Sequence, residues 1–450
     1  MTQELYIEGV RVDLQPEIIT LQYRSNLFSS IDKITSSNSL TIRLPKTPTN
    51  NKVMNFSGIP FSEGIARKWY NAVYCRNGIQ LIRGKLALLS ANKEEYEVAI
   101  IWGIIERLSE WNNSDFTLRD IPLIYTTRIV ENSIENFAKT VVVYGPIYYN
   151  NGGEKYAFPV INAGLLFNRI IGSNYIGGAD KSMIDESLLN RLYINIIEDL
   201  AKEVGTSTFF IKDYLPEIKQ VEFIKAICHL NGWYFELTPQ GVLQLVPLSI
   251  MADKSRAVDW SDKLASYGNT PDAISFSYDN YAQRNWMRYK EDDNVTTNAD
   301  GYVQVEDSTL KLDNTLFTLP FAPTDGNLIR QYLTTLNDLD EPTTTFVKIK
   351  PRILTIQEDG PLDEYGDAIP QLIFNNELQF NSIINTRYAY LRKVIRKPIV
   401  IEAEFRLTDF DLMSVDYTRP IYIAQYGGYY GIIKITNRGA KSTVELIKLP

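Results

Sequence analysis

Histidine is almost absent from this chain: His229 is the only one among 450 residues. A single imidazole excludes HExxH sites and any cluster of histidines on one metal. It also removes the usual base for a Ser or Cys nucleophile, unless His229 itself serves. Val221, Ile224 and Ile227 space as a helical stripe beside it, and Cys228 and His229 point to different helix faces. A packing or capping role is therefore expected for His229. Cysteine is equally scarce, and Cys75 and Cys228 lie far apart outside any CxxC spacing. That excludes a disulfide framework and a thiolate metal site, and leaves two small apolar residues expected inside. No apolar run approaches the ~18–20 residues that cross a bilayer. The opening Met1 to Gly9 lacks the basic and apolar regions of a secretory signal. Synthesis in a cytoplasm is expected, with any export as part of something larger.

Positive charge is also in deficit. Lys and Arg number 46 against 54 Asp and Glu, for a net charge of −8 and a pI near 5.1. Phosphate binding depends on clustered cations, so this balance argues against a nucleic-acid-binding surface. It suits an ordinary soluble protein, or a conduit through which DNA slides without sticking.

Motifs of chemistry are missing too. Gly172 to Ser182 has the glycines of a phosphate loop, but Gly178 stands where the lysine belongs, so a flexible loop is expected. No GxGxxG occurs. The acidic cluster Glu358, Asp359, Asp363, Glu364 and Asp367 lacks the spacing of a calcium loop and reads as solvated. Two carboxylates at ~5–10 Å would suffice for glycoside hydrolysis, and the sequence neither excludes nor supports such a pair. No catalytic, cofactor-binding or metal residue is assigned, and the chain is read as a non-enzyme without cofactors.

What is present is β structure. Tyr is abundant at 28 against 19 Phe, which suits half-buried strands and subunit contacts. Leu5 to Leu14 reads as a hairpin turning at Glu8-Gly9; Ile19, Leu21 and Tyr23 alternate next. Leu40, Ile42 and Leu44 then alternate until Pro45 stops the ladder. Two stretches look like one hairpin written twice: Ile82–Trp102, and Tyr430–Leu449, where Gly431, Ile433 and Ile435 take the places of Gly84, Leu86 and Leu88. Between them, four-residue steps through Leu188, Leu192, Ile196, Leu200 and Val204 predict a helix over 182–204. A shorter helix through Val221 and Ile227 ends at Asn231-Gly232, and Trp233–Leu237 turns into Val242–Val246. The expected class is mainly β with an α+β insertion: a tube-like β-barrel over 1–110, the insertion over 111–254, a β-rich part with long polar loops over 255–346, and a second tube-like barrel over 347–450.

The stretch Ser37 to Asn50, with Tyr23 to Phe28 before it, resembles tail proteins of phages and prophages of gut bacteria. Phe223–Trp233, Tyr281–Lys290, Asn298–Tyr302 and Leu319–Gly326 are similar to segments of the baseplate or tail-tip hub family. The resemblance spans most of the chain. It implies a homotrimer with two tube-like barrels per subunit, giving a pseudo-hexameric ring that joins the tail tube or distal tail protein to a spike or tip and passes DNA. It implies a virion structural protein located in the phage tail, with no membrane segment; if the ring is a DNA conduit, acidic side chains are expected to be enriched on its axial surface relative to the outer wall, though the same excess fits outer loops such as 358–367. No lysozyme-like or peptidase segment is appended, which leaves wall degradation to other tail proteins. Two alternatives stand beside it: a receptor- or glycan-binding tail component using exposed Tyr and Trp as stacking platforms, and a tail-associated glycosidase built on two carboxylates.

Overall fold

The computed structural model describes every residue except 29–33, 58–67, 105–107, 109–113, 122–125, 128–141, 149–154, 175, 196–208, 266–269, 292–298, 325–330, 337–341, 348–349 and 358–370. The acidic cluster at 358–367 thus lies outside the described residues.

The chain begins with a hairpin of β1 (Gln3–Ile7) and β2 (Val10–Val12). Glu8 and Gly9 both take left-handed backbone, φ 47° and 78°, the geometry a two-residue turn needs to match strand twist. β3 (Leu21–Arg24), β4 (Ser37–Ser39) and β5 (Ile42–Pro45) follow, then β6 (Trp69–Arg76), β7 (Ile79–Ala91) and β8 (Glu95–Trp102). The middle holds β9 (Thr126–Thr127), β10 (Val142–Tyr148), β11 (Lys155–Asn162), β12 (Leu192–Asn195) and β13 (Phe209–Phe210). Helix Gln220–Asn231 leads into the hairpin of β14 (Trp233–Leu237) and β15 (Leu243–Pro247). Gly232 closes that helix in left-handed backbone at φ 68°, as its sequence predicts. β16 (Val258–Asp259), β17 (Ala273–Ser275), β18 (Arg284–Arg288), β19 (Gly301–Gln304), β20 (Asp313–Thr318), β21 (Gln331–Leu336), β22 (Pro342–Val347), β23 (Ile353–Gln357) and β24 (Gln371–Ile373) come next. Helices Phe380–Thr386 and Ala389–Ile395 precede β25 (Val400–Phe405), β26 (Ile421–Ile423), β27 (Gly428–Arg438) and β28 (Lys441–Lys448).

The mainly β class is as expected; the arrangement of its two ends is not. Rather than closing into separate barrels, they merge into one 14-stranded sheet whose path runs β17-β25-β28-β27-β3-β4-β8-β7-β6-β1-β2. The joint is β3 against β27, where Tyr23 faces Ile435 and Arg24 faces Lys434. One hydrophobic core lies under both ends, containing Leu5, Leu21, Leu86 and Ile100 from the first hundred residues and Ile401, Phe405, Ile435 and Val444 from the last fifty. Strands of different sequence origin bury one continuous apolar face more completely than two small sheets would.

A second core gathers the insertion, around Phe167, Phe223, Ile227, Met287, Phe317, Ile353 and Phe380. Its five-stranded sheet runs β10-β11-β12-β23-β24, so β23, β24 and the helices between Phe380 and Ile395 pack with the insertion although the sequence placed them in the last unit. Conversely, β16 and β17 join the large sheet from the part expected to be separate.

The helix expected over 182–204 is corrected. A short helix, Ser187–Asn190, stops before β12, and residues 196–204 lie outside the described ones. Leu192, Tyr193 and Ile194 are a buried apolar and aromatic run that pairs with β11 and β23; burial on both faces of this strand overrides the four-residue period.

The doubled hairpin exists as two hairpins, β7–β8 and β27–β28, but the positions do not correspond one to one. Each carries a register shift, after Leu88 in the first and after Ile432 in the second. The second shift comes so soon after Gly431 that Ile432 and Ile435 enter the sheet core, while Ile433 packs against the insertion. Gly84 and Gly431 also answer different needs: a Cβ at Gly84 would meet the backbone of Ile101, and one at Gly431 the ring of Phe28.

Candidate functional site

The uncovered face of the large sheet is its most extensive feature. Since side chains alternate, residues paired across strands share a face. One such row runs Asn71, Lys85, Ile101, Asn38, Gln22, Thr436, Thr443 and Glu404 across eight strands. A neighbouring row runs Arg24, Lys434, Glu445, Glu402 and Ala273. Both lie opposite the core, and nearly every member is polar or charged.

The charges pair off locally. Lys434 and Glu445 form an ion pair, Lys441 reaches Glu404 at 3.4 Å, and Arg11 reaches Glu4 at 3.2 Å. Lys85 Nζ donates to Asn71 Oδ1 at 2.9 Å. The face mixes both signs. Cys75 is half-buried on this face opposite Glu4 rather than in the core, and burial raises its thiol pKa; Cys228 is fully inside, as expected.

Among the described residues, the path of the sheet ends on two short strands, while off it β5 pairs only with β8 and β16 only with β26. β2 pairs only with β1, and β17 only with β25. Each is three residues long, and each shows apolar side chains to solvent: Val10 is 46% exposed, Ile274 49% and Phe276 68%. A pocket of about 540 Å³ opens beside β17, with Phe28, Val400 and Ile433 among its apolar walls and Arg24, Glu402 and Glu445 among its charged ones.

His229 sits within the insertion core, 6% exposed. Its ring stacks on Phe317 at 3.9 Å and 7°, and its carbonyl accepts from the Tyr388 hydroxyl at 2.7 Å. A helical packing role fits this position. His229→Gln is expected to cost about 1–2 kcal/mol through lost aromatic packing while leaving any assembly intact, as measured by urea unfolding beside particle size. Loss of a hydrolytic activity on that substitution would contradict the reading. Gly172 to Ser182 is docked rather than loose: Asp180 exchanges backbone bonds with Leu243 and Leu245 of β15, and Lys181 bonds Glu186 at 2.7 Å. Among the described residues, no three of His, Cys, Asp and Glu gather as a metal site, and no helix is long and apolar enough to cross a membrane.

Two buried polar centres escaped the sequence reading. Arg76, 1% exposed, donates through Nε to Asp409 Oδ1 and through Nη1 to Asn437 Oδ1, each at 2.7 Å. Asn437 in turn bonds Gly439 and Ser442. Glu236 on β14 is 2% exposed and accepts from Asn26 N at 2.9 Å and Ser25 Oγ at 3.2 Å. Burial raises its carboxyl to about 7, against the pull of the surrounding N–H donors. These contacts span 333 and 210 residues of sequence, so no local spacing announces them.

Comparison with protein-family models finds no match, and no curated protein matches by sequence. Among solved structures, the chain is similar to the 43 kDa tail protein of prophage MuSo2 from Shewanella oneidensis, with 8% identity, 99% of this chain and 97% of that one covered, and a TM-score of 0.41. It is similar also to a tail protein from Neisseria meningitidis MC58, with 9% identity, 99% and 95% covered, and a TM-score of 0.41.

Proposed function

We propose that this protein is a non-enzymatic structural component of a phage tail, a hub whose copies join into a trimeric, pseudo-hexameric ring between the tail tube and the tip and pass DNA through its centre. The observation that carries this reading is the large sheet: open, polar on its uncovered face, and with a path that ends on two short strands. An open sheet with unlike edges favours head-to-tail contacts, which close into rings when the rotation per subunit allows. Edges this short offer little backbone to pair, so the exposed Val10, Ile274 and Phe276 beside them are the apolar groups that a neighbouring copy would cover. A polar face with paired charges is suited to line a channel, because cations already held by carboxylates are poor at gripping passing phosphates. The non-enzymatic part rests on His229, whose imidazole is committed to packing on Phe317.

Electron microscopy of the purified protein tests this. Rings of threefold symmetry with an axial hole bounded by the row from Asn71 to Glu404 are expected. A protein that remains monomeric at all concentrations, or a ring whose channel is lined by unpaired Lys and Arg, would overturn the conduit.

A further inference from the structure

The three-stranded sheet β19-β18-β20 has two faces of opposite character. Inward, Asn285, Met287, Val303 and Phe317 are buried. Outward, Trp286 on β18 lies directly across from Tyr302 on β19 and beside Thr315 on β20. The two rings stand 4.8 Å apart at 53°, and Tyr302 is 40% exposed. Asp313 accepts from Trp286 Nε1 and from Arg284 Nη2, both at 2.7 Å, and the Arg288 guanidinium lies 5.1 Å over the Trp286 ring.

We propose that this outward face, centred on Trp286, Tyr302 and Asp313, is a binding platform for a pyranose unit of a polysaccharide. A sugar ring offers C–H groups that pack on aromatic faces, and hydroxyls that need fixed acceptors and donors at the rim. Both halves are present. The two aromatic rings make an angled floor, and Asp313 is held by two donors yet keeps acceptor capacity, since a carboxylate has about four lone-pair sites. Arg284 and Arg288 add planar donors on the same side. The chemistry also selects against other stacking ligands: a nucleotide would bring phosphate towards Asp313 on a chain of net charge −8, where single-strand binders use a cationic groove. A protein interface would favour a wider apolar centre than two rings framed by charges. The platform stands independently of ring formation, since it belongs to the insertion core.

The test is binding of the full-length protein to an array of neutral, amino-sugar and acidic oligosaccharides, followed by calorimetric titration of the strongest binder. Trp286→Ala is expected to weaken binding by about tenfold or more, the scale of one lost stacking contact. Asp313→Asn keeps the shape but not the charge and is expected to weaken it less. Tyr422→Ala, in an aromatic pair with Tyr429 on the large sheet, should leave it unchanged. Light scattering of the same variants separates a folding or assembly defect from a binding one. The proposal is overturned if no saccharide binds, if Trp286→Phe and Trp286→Ala both bind as well as the parent, or if Trp286→Ala changes only the oligomeric state, which would make this face a contact between protein chains.

Discussion

Arg76→Ala is expected to lower stability by about 3–5 kcal/mol, the usual result of removing one partner from a buried ion pair. Arg76 rises from β6, is 1% exposed, and meets Asp409, which is itself only 14% exposed. Without the guanidinium, the Asp409 carboxylate is left with the exposed Asn77 amide at 3.3 Å, and Asn437, whose Nδ2 anchors the β27–β28 turn, loses the donor to its Oδ1. The penalty comes from what remains, not from what is lost. Hence the double variant Arg76→Met with Asp409→Leu should recover most of the stability, because it leaves no charge uncompensated. The measurement is the urea midpoint of both variants at constant slope. If the double variant is as unstable as the single one, the pair is contributing attraction rather than relieving a buried charge. If neither moves the midpoint, the first and last segments of the sheet are held together by packing alone.

That network marks the limit of what the sequence discloses. Hairpins were legible because their signals are local: Glu8-Gly9 demands left-handed backbone, Pro45 ends a ladder, Gly232 caps a helix, and Val400 to Phe405 alternates as β25 does. The pairing of β3 with β27 was not, since it joins residues about four hundred positions apart through side chains that any strand could carry. The doubled hairpin misled for a related reason. Gly84 and Gly431 both sit where a Cβ has no room, but a register shift is a backbone event and leaves no mark in the alternation. Leu188 and Leu192 fit a helical period by coincidence, and only the partners of β12 reveal the strand. The outward face of β18 was legible only as composition, a surplus of Tyr, and the grouping of Trp286 with Tyr302 depends on β19 and β20 arriving alongside.

Stability should fall as pH rises from about 4.5 to above 7, and Glu236 should account for much of that slope. Its carboxyl is raised to about 7 by burial, above the ordinary value near 4.3 of an exposed chain. The folded protein therefore binds this proton more tightly than the unfolded one. The resulting stabilisation is complete below the unfolded value and is lost as pH climbs through the folded one, an interval amounting to about 4 kcal/mol. Among the described residues, the groups acting on that charge are the Ser25 hydroxyl and the N–H groups of Asn26, Leu27 and Leu237, together with the buried phenol of Tyr417. Carboxylates held low, such as Asp411 beside Lys263, act with the opposite sign and only in more acid solution, so they do not mask this window. Glu236→Gln carries no proton to lose, and its stability should stay nearly level between pH 5 and 8 while that of the parent declines. Urea unfolding of both proteins across that range decides it, and parallel curves would show that Glu236 ionises without cost. Because Ser25 and Asn26 follow β3 directly while Glu236 belongs to β14, the charge that burial disfavours appears where the large sheet meets the insertion. With the intrinsic base-catalysed rate divided out, raising the pH through 7 should increase amide exchange at Asn26 and Leu237, since opening that contact rehydrates the charge, before it reaches β6, whose ladder partners are β1 and β7.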